Sequence, residues 1–161
     1  MLKTSEKGLK QLMAFEGVRT TPYICSAGYP TEGVGHKMLD TNGNPLRAGD
    51  TAAIKIYRQV FTKDDALRLL AKDIKEYEEA VYSTISANLE QHQFDMLVSL
   101  CFNIGCGAFK KSTVTRKINE EASIRVISES WIQWNKAGGK VIQGLTNRRM
   151  KEIEIFKNGY K

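Results

Sequence analysis

No run in the 161 residues approaches the roughly 20 apolar side chains needed to cross a bilayer, which argues against an integral membrane protein. The first segment, MLKTSEKGLKQLMAFEG, lacks a secretory h-region, because Lys3, Glu6, Lys7 and Lys10 interrupt it. Cysteine is scarce: Cys25, Cys101 and Cys106 are an odd number without C-x-x-C spacing, which disfavours a disulfide framework and makes buried free thiols the expectation for Cys101 and Cys106. With only His36 and His92, far apart, a structural zinc site is not expected either, and no metal or cofactor is called for. Internal repeats, low-complexity tracts and linkers that would cut the chain into independent domains are also missing.

What is present is an ordinary globular composition, 42% hydrophobic and 26% charged, carrying a formal charge of +6 and a pI near 9.2. Such a balance favours polyanionic partners, among them nucleic acid, anionic lipid and an acidic cell envelope. The 24 Lys and Arg are spread out, however, and the densest groups, Lys110 with Lys111 and Arg148 with Arg149, are mere pairs. That is a generally basic surface rather than a nucleic-acid stripe, so no nucleic-acid partner is expected.

Periodicity gives the architecture. Thr4 or Ser5 can cap a first helix whose apolar residues Leu9, Leu12, Met13 and Phe15 recur at helical spacing until Gly17, leaving Glu16 at its C-terminal end. From Tyr23 to about Pro45, short segments rich in Gly, Pro, Thr and Asn, with an Asn42-Gly43 turn, predict a small antiparallel sheet. Thr62 then caps a run through Leu67, Leu70, Ile74, Tyr77, Val81 and Ile85, read as one connecting helix of about six turns over 62–86. Phe94 to Ile104 is apolar on most sides, as the central helix of a bundle would be, and the segments KSTVTRKIN, ASIRVISESWIQWNKAGG and LTNRRMKEIEIFKNG follow it to close the bundle. Trp131 and Trp134, three apart on an apolar face, belong to that bundle's core. A cleft between the lobes is the natural place for a ligand.

One constellation rises above this background. Glu16, eight residues, Cys25, five residues, Thr31 and then Gly33-x-Gly35-His36 run without a gap, although each residue alone has a bland explanation. Together they resemble the motif of the phage-type lysozymes, glycoside hydrolase family 24, in which the second position is Asp or Cys. EGVRTTPY resembles the family's opening, FTKDDALRLLAKDI its connecting helix, FDMLVSLCFNIGCGAF its buried helix, and WNKAGGKVIQGLTNRRMKEIEIF its closing segments. The resemblance implies an α+β, mainly helical lysozyme-like fold in one domain over 1–161. A small lobe would span about 15–60, the connecting helix about 62–86, and a helical lobe about 87–161 together with the N-terminal helix.

It further implies an endolysin: a monomeric muramidase acting on bacterial peptidoglycan, made in the host cytoplasm and released to the wall with holin help. Cleaving a glycosidic bond takes an acid to protonate the leaving oxygen and a second group to activate water while an oxocarbenium-like centre forms. By resemblance Glu16 is that acid, its proton retained through desolvation at a recessed helix end. Thr31 would hold the attacking water and Cys25 would polarise it or steady the positive charge, with Arg19, Lys37 or Arg148 as the cations able to favour its thiolate. Glu32, on the opposite strand face from Thr31, is not expected to take part. Gly33 and Gly35 would let the backbone approach the sugar, with Lys37 beside them in the supporting shell. His36 either faces the cleft or bonds a carboxylate, for which Asp73 is the candidate. Phe102 lines the cleft or packs in the core, and Arg148 either approaches Glu16 or belongs to a basic helix surface. A lytic transglycosylase, which needs no activated water, and a silent wall-binding module are the alternatives.

Overall fold

The first helix, α1 (Glu6–Glu16), starts where its cap allows: in the computed structural model, which describes residues 2–161, the amide of Gly8 donates to Ser5 Oγ at 3.1 Å. It ends where Gly17, at φ 80°, takes the left-handed turn that a side chain disfavours, its amide bonding Met13 O at 2.9 Å. The chain then divides into two compact units: Leu9–Asp73, and the segment ending at Gly8 together with Ile74–Lys161.

The Leu9–Asp73 unit is built on β1 (Arg19–Ile24), β2 (Pro30–Gly33) and β3 (His36–Lys37), an antiparallel sheet in that order. Its register pairs Ile24 with Pro30, Tyr23 with Thr31 and Arg19 with Gly33, with a bulge between Arg19 and Tyr23; Thr31 in turn faces Lys37 and Glu32 faces His36. The sheet begins earlier than the Gly- and Pro-rich pattern suggested, because β1 takes in the Arg-Thr-Thr run before Tyr23. Helix α2 (Thr51–Tyr57), which no sequence signal announced, buries none of its residues. Helix α3 (Lys63–Asp73) packs on the sheet, and Val60, Ala66 and Leu69 form a small core joined by Met13 and Val18. Its start follows the predicted cap: Asp65 N donates to Thr62 Oγ1 at 3.1 Å, while the Phe61 and Thr62 amides donate back to Asp65 Oδ2 at 3.0 and 2.9 Å. Those bonds, the Phe61 amide foremost, bring the Asp65 carboxyl down to about 2.

The expected six-turn helix is two helices. Between α3 and α4 (Lys75–Thr84) stands Ile74, with ψ near −4°, too flat to carry the helix through. Neither Pro nor Gly marks the break, and Ile74 is itself buried.

In the second unit α5 (Gln91–Ile104) is the central helix that its composition predicts, with every residue from Phe94 to Cys101 buried. Around it lie α6 (Cys106–Lys110), α7 (Thr113–Asn119), α8 (Ile124–Ile132) and α9 (Gln143–Asn158). Two-residue strands β4 (Lys136–Ala137) and β5 (Lys140–Val141) form a hairpin whose central Gly138 and Gly139, both at positive φ, make the turn that matches strand twist. Trp131 is a core residue, whereas Trp134 lies beyond the end of α8 and is half-buried, so the shared helical face that their spacing suggested does not exist.

Two buried acids organise this unit. Asp95 accepts hydrogen bonds from Ser5 N (2.9 Å), Gln91 Nε2 (2.9 Å) and Tyr160 OH (2.8 Å), and Gly8 must stay a glycine beside it, since a Cβ there would fall 2.6 Å from Asp95 Cγ. Glu152, fully buried, meets Arg148 Nε and Arg149 Nε at 3.1 Å each, Trp131 Nε1 at 3.1 Å and Ser99 Oγ at 2.7 Å. With both oxygens held this way, the cost of burying the charge is offset by partners on three sides.

Candidate active site

Six of the eight sequence-predicted site residues, Glu16, Cys25, Thr31, Gly35, His36 and Lys37, fall in the Leu9–Asp73 unit; Phe102 and Arg148 fall in the other. Glu16 is the last residue of α1 and is exposed. The burial that a recessed helix end would supply is thus not provided by the protein around it. Met13 before it and Val18 after it pack on the Val60, Ala66 and Leu69 core, and Gly33 sits over the same core, where a Cβ would come within 3.3 Å of Val60 Cγ2. One small apolar cluster therefore anchors both the helix end that presents Glu16 and the strand that presents Thr31.

Cys25 follows β1 and opens a tight turn, closed by Cys25 N to Tyr29 O at 3.0 Å and Gly28 N to Cys25 O at 2.8 Å, with Gly28 at φ 85°. Tyr23 pairs across the sheet with Thr31, whose side chain, only 3% exposed, donates its hydroxyl to Tyr29 O at 2.9 Å. The Thr31 hydroxyl beside Cys25 is also the main reason that its thiol lies below the ordinary value, with the backbone of Tyr29 next and burial opposing. The cations offered for that role are engaged elsewhere: the Arg19 guanidinium stands 4.9 Å over the Tyr23 ring, and Lys37 Nζ 4.0 Å over the Tyr29 ring. Hydrogen bonding, rather than neighbouring charge, favours the thiolate.

Glu32 is turned away as the alternation of the strand requires. Fully buried, its carboxylate accepts from Gln59 N at 3.0 Å and Val60 N at 3.0 Å, holding the loop before α3. His36 Nδ1 lies 2.8 Å from Asp73 Oδ2, so the carboxylate partner anticipated for it is the one it has. Gly35, at φ 68°, completes the turn into β3. Tyr29 is the residue that the sequence did not single out: its carbonyl takes the Thr31 hydroxyl and closes the Cys25 turn, its backbone lowers the thiol, and its ring carries Lys37. Only the two-residue offset from Thr31 hinted at it.

In the helical unit, Phe102 is half-buried and packs against Tyr77, ring centroids 4.9 Å apart and planes tilted by 55°. Arg148 is buried, with Glu152 and the Ser99 carbonyl (3.2 Å) among its partners, and so is not part of a basic helix surface. Among the described residues no group of three or more His, Cys, Asp or Glu is arranged to hold a metal ion, and no helix is long and apolar enough to cross a membrane.

Comparison with known proteins bears on this arrangement. The family model described as phage lysozyme matches residues 13–152, from the end of α1 to α9. The chain belongs to the phage lysozyme family. It is 35% identical to the endolysin of Salmonella phage P22 over 156 residues, covering 97% of this chain and 99% of that one. To the endolysin of Bacillus phage B103 it is 32% identical over 160 residues, which are 98% of this chain but 55% of the relative; the chain thus spans about half the length of the Bacillus phage relatives it matches. The solved muramidase domain of SpmX from Asticaccaulis excentricus superposes with a TM-score of 0.77 at 30% identity, covering 98% of this chain and 99% of that one. The α+β, mainly helical lysozyme-like fold is the family's.

Proposed function

We propose that this chain is an endolysin muramidase, hydrolysing the β-1,4 bond between N-acetylmuramic acid and N-acetylglucosamine in peptidoglycan. Glu16 is the general acid, and Cys25 with Thr31 handles the water. The observation that carries this reading is the Thr31 hydroxyl, which has one proton and two acceptors, Tyr29 O and the Cys25 sulfur. A hydroxyl so placed accepts from a water through its lone pairs while donating to either neighbour.

In this mechanism the Glu16 proton passes to the glycosidic oxygen as the bond to the anomeric carbon lengthens. The water on Thr31 attacks that carbon, and its proton goes to the Cys25 thiolate. Glu16 leaves the step as carboxylate and Cys25 as thiol, and exchange with solvent restores both. Because Glu16 is exposed, the saccharide itself supplies the cover that keeps water off the carboxyl. The net positive charge concentrates the enzyme at an anionic wall. The same reading has a monomer made in the host cytoplasm and reaching the wall through a holin lesion.

Product analysis of purified peptidoglycan, digested with reductant present, tests the proposal. Reducing muramic acid ends are expected from the wild type and none from Glu16→Gln. A predominance of 1,6-anhydro ends would convert the assignment to a lytic transglycosylase, and no soluble product at all would leave a wall-binding module.

A further inference from the structure

The two remaining thiols are not scattered in the core. Cys101 lies in the last turn of α5, fully buried, and Cys106 opens α6, half-buried; Gly105 at φ 87° folds the chain between them. Their sulfurs are 3.8 Å apart, in van der Waals contact, with the Cys101 S–H donating to Cys106 Sγ. Cys106 Sγ is in turn 3.9 Å from the Glu76 carbonyl. Nothing in the glycosidase mechanism uses either residue.

We propose that Cys101 and Cys106 form a disulfide modification site: a small-molecule or protein disulfide oxidises the pair to an intramolecular bond that ties the end of α5 to the start of α6. Cys106, the more accessible, attacks first. Its thiolate takes one sulfur of the external disulfide, giving a mixed disulfide and expelling a thiolate that picks up the proton Cys106 gave up. The Cys101 sulfur then attacks Cys106 Sγ, the protein disulfide forms, the mixed disulfide breaks, and the second thiol leaves carrying the Cys101 proton. Two electrons pass from the cysteine pair to the external disulfide.

The order of events follows from the surroundings. Cys101 is fully buried and Cys106 only half-buried, so an external disulfide reaches Cys106 first. Burial, above all, and the nearby Cys106 push the Cys101 thiol up, so the resolving step is the slower one and quickens with pH. Contact between the sulfurs still makes that step effectively unimolecular and leaves little chain to rearrange. The bond stays open in a reducing compartment and closes in an oxidising one.

The full chain, folded, is incubated with oxidised glutathione, quenched with iodoacetamide and digested with trypsin. Cys101 and Cys106 share the peptide Glu76–Lys110, whereas Cys25 is read separately in Thr20–Lys37. We expect the first peptide to pass through a glutathione adduct and end two hydrogens lighter and unalkylated, faster at higher pH. The melting temperature should rise by about 5 °C and fall back with dithiothreitol. Cys106→Ser, at a half-buried position, should abolish the adduct and the rise. A glutathione adduct that never resolves, two alkyl groups on the peptide after prolonged oxidation, a cross-link to the Cys25 peptide, or a melting rise that survives Cys106→Ser would each overturn the proposal.

Discussion

Cys25 and Cys101 carry the same thiol, and the two units push it in opposite directions. In the Leu9–Asp73 unit, hydrogen bonds from a threonine hydroxyl and a tight turn pull Cys25 down; in the helical unit, burial in α5 pushes Cys101 up. The carboxylates divide by role rather than by unit, since Glu32 of the first unit is buried and bonded like those of the second. Glu16 is exposed at a helix end, whereas Asp95 and Glu152 are buried and bonded from several sides. The first unit exposes Glu16 and half-exposes Cys25 over the buried Thr31 and Glu32, while the second surrounds its polar groups with partners. Substitutions at Glu16 and Cys25 should therefore change rate more than stability, and those at Glu152, or at Asp73 among the first unit's own supports, the reverse.

The largest effect expected is from Glu16→Gln, a loss on the order of 10³-fold in wall hydrolysis with an unchanged melting curve, since only a transferable proton is removed. A variant that melts early would place Glu16 among the supports of the fold and break the contrast. Next, Glu152→Ala should lower the unfolding free energy by about 4 kcal/mol in urea titration, because it leaves the guanidinium groups of Arg148 and Arg149 buried with their shared partner gone. At Cys25, aspartate should keep activity and serine lose roughly 100-fold, the hydroxyl being un-ionised at neutral pH; equal rates for the two would make the thiol incidental. Asp73→Asn should cost about 2 kcal/mol of stability by weakening the bond to His36.

The smallest effect is a pH profile. With its pKa lowered on folding, Cys25 is ionised across a window in which the unfolded thiol is still protonated. Iodoacetamide should therefore modify Cys25 in the folded protein at a pH below that needed in urea. The same linkage makes its contribution to stability fully present above the unfolded pKa and lost as pH falls through the folded one. Identical profiles in the folded and urea-unfolded states would remove the hydrogen bonds from the explanation.

Much of this was legible in the chain. The Thr62 cap, the all-round apolar α5, Gly17 after α1 and the even spacing that turns Glu32 away from Thr31 are local signals, and each appears where the period or the turn residue put it. What escaped was decided at longer range. α2 has no buried face and so leaves no hydrophobic period to read. The Gly138-Gly139 hairpin has strands of two residues, too short to alternate. Ile74 fits a helix by propensity yet takes a ψ near −4° between α3 and α4, and Trp134 keeps helical spacing past the helix that would have used it.

The sequence by itself determined the main helices and the first sheet, their order, the family and the spacing of Glu16, Cys25 and Thr31, because these rest on periodicity, caps and residue identity within a few turns. Only the tertiary structure decided that a hydroxyl and a turn, not a cation, lower the Cys25 thiol, that Tyr29 joins the site, and that Cys101 and Cys106 touch. Burial, register and side-chain contact depend on the three-dimensional path of the backbone, which residue identity and spacing do not specify even for Cys101 and Cys106, five positions apart.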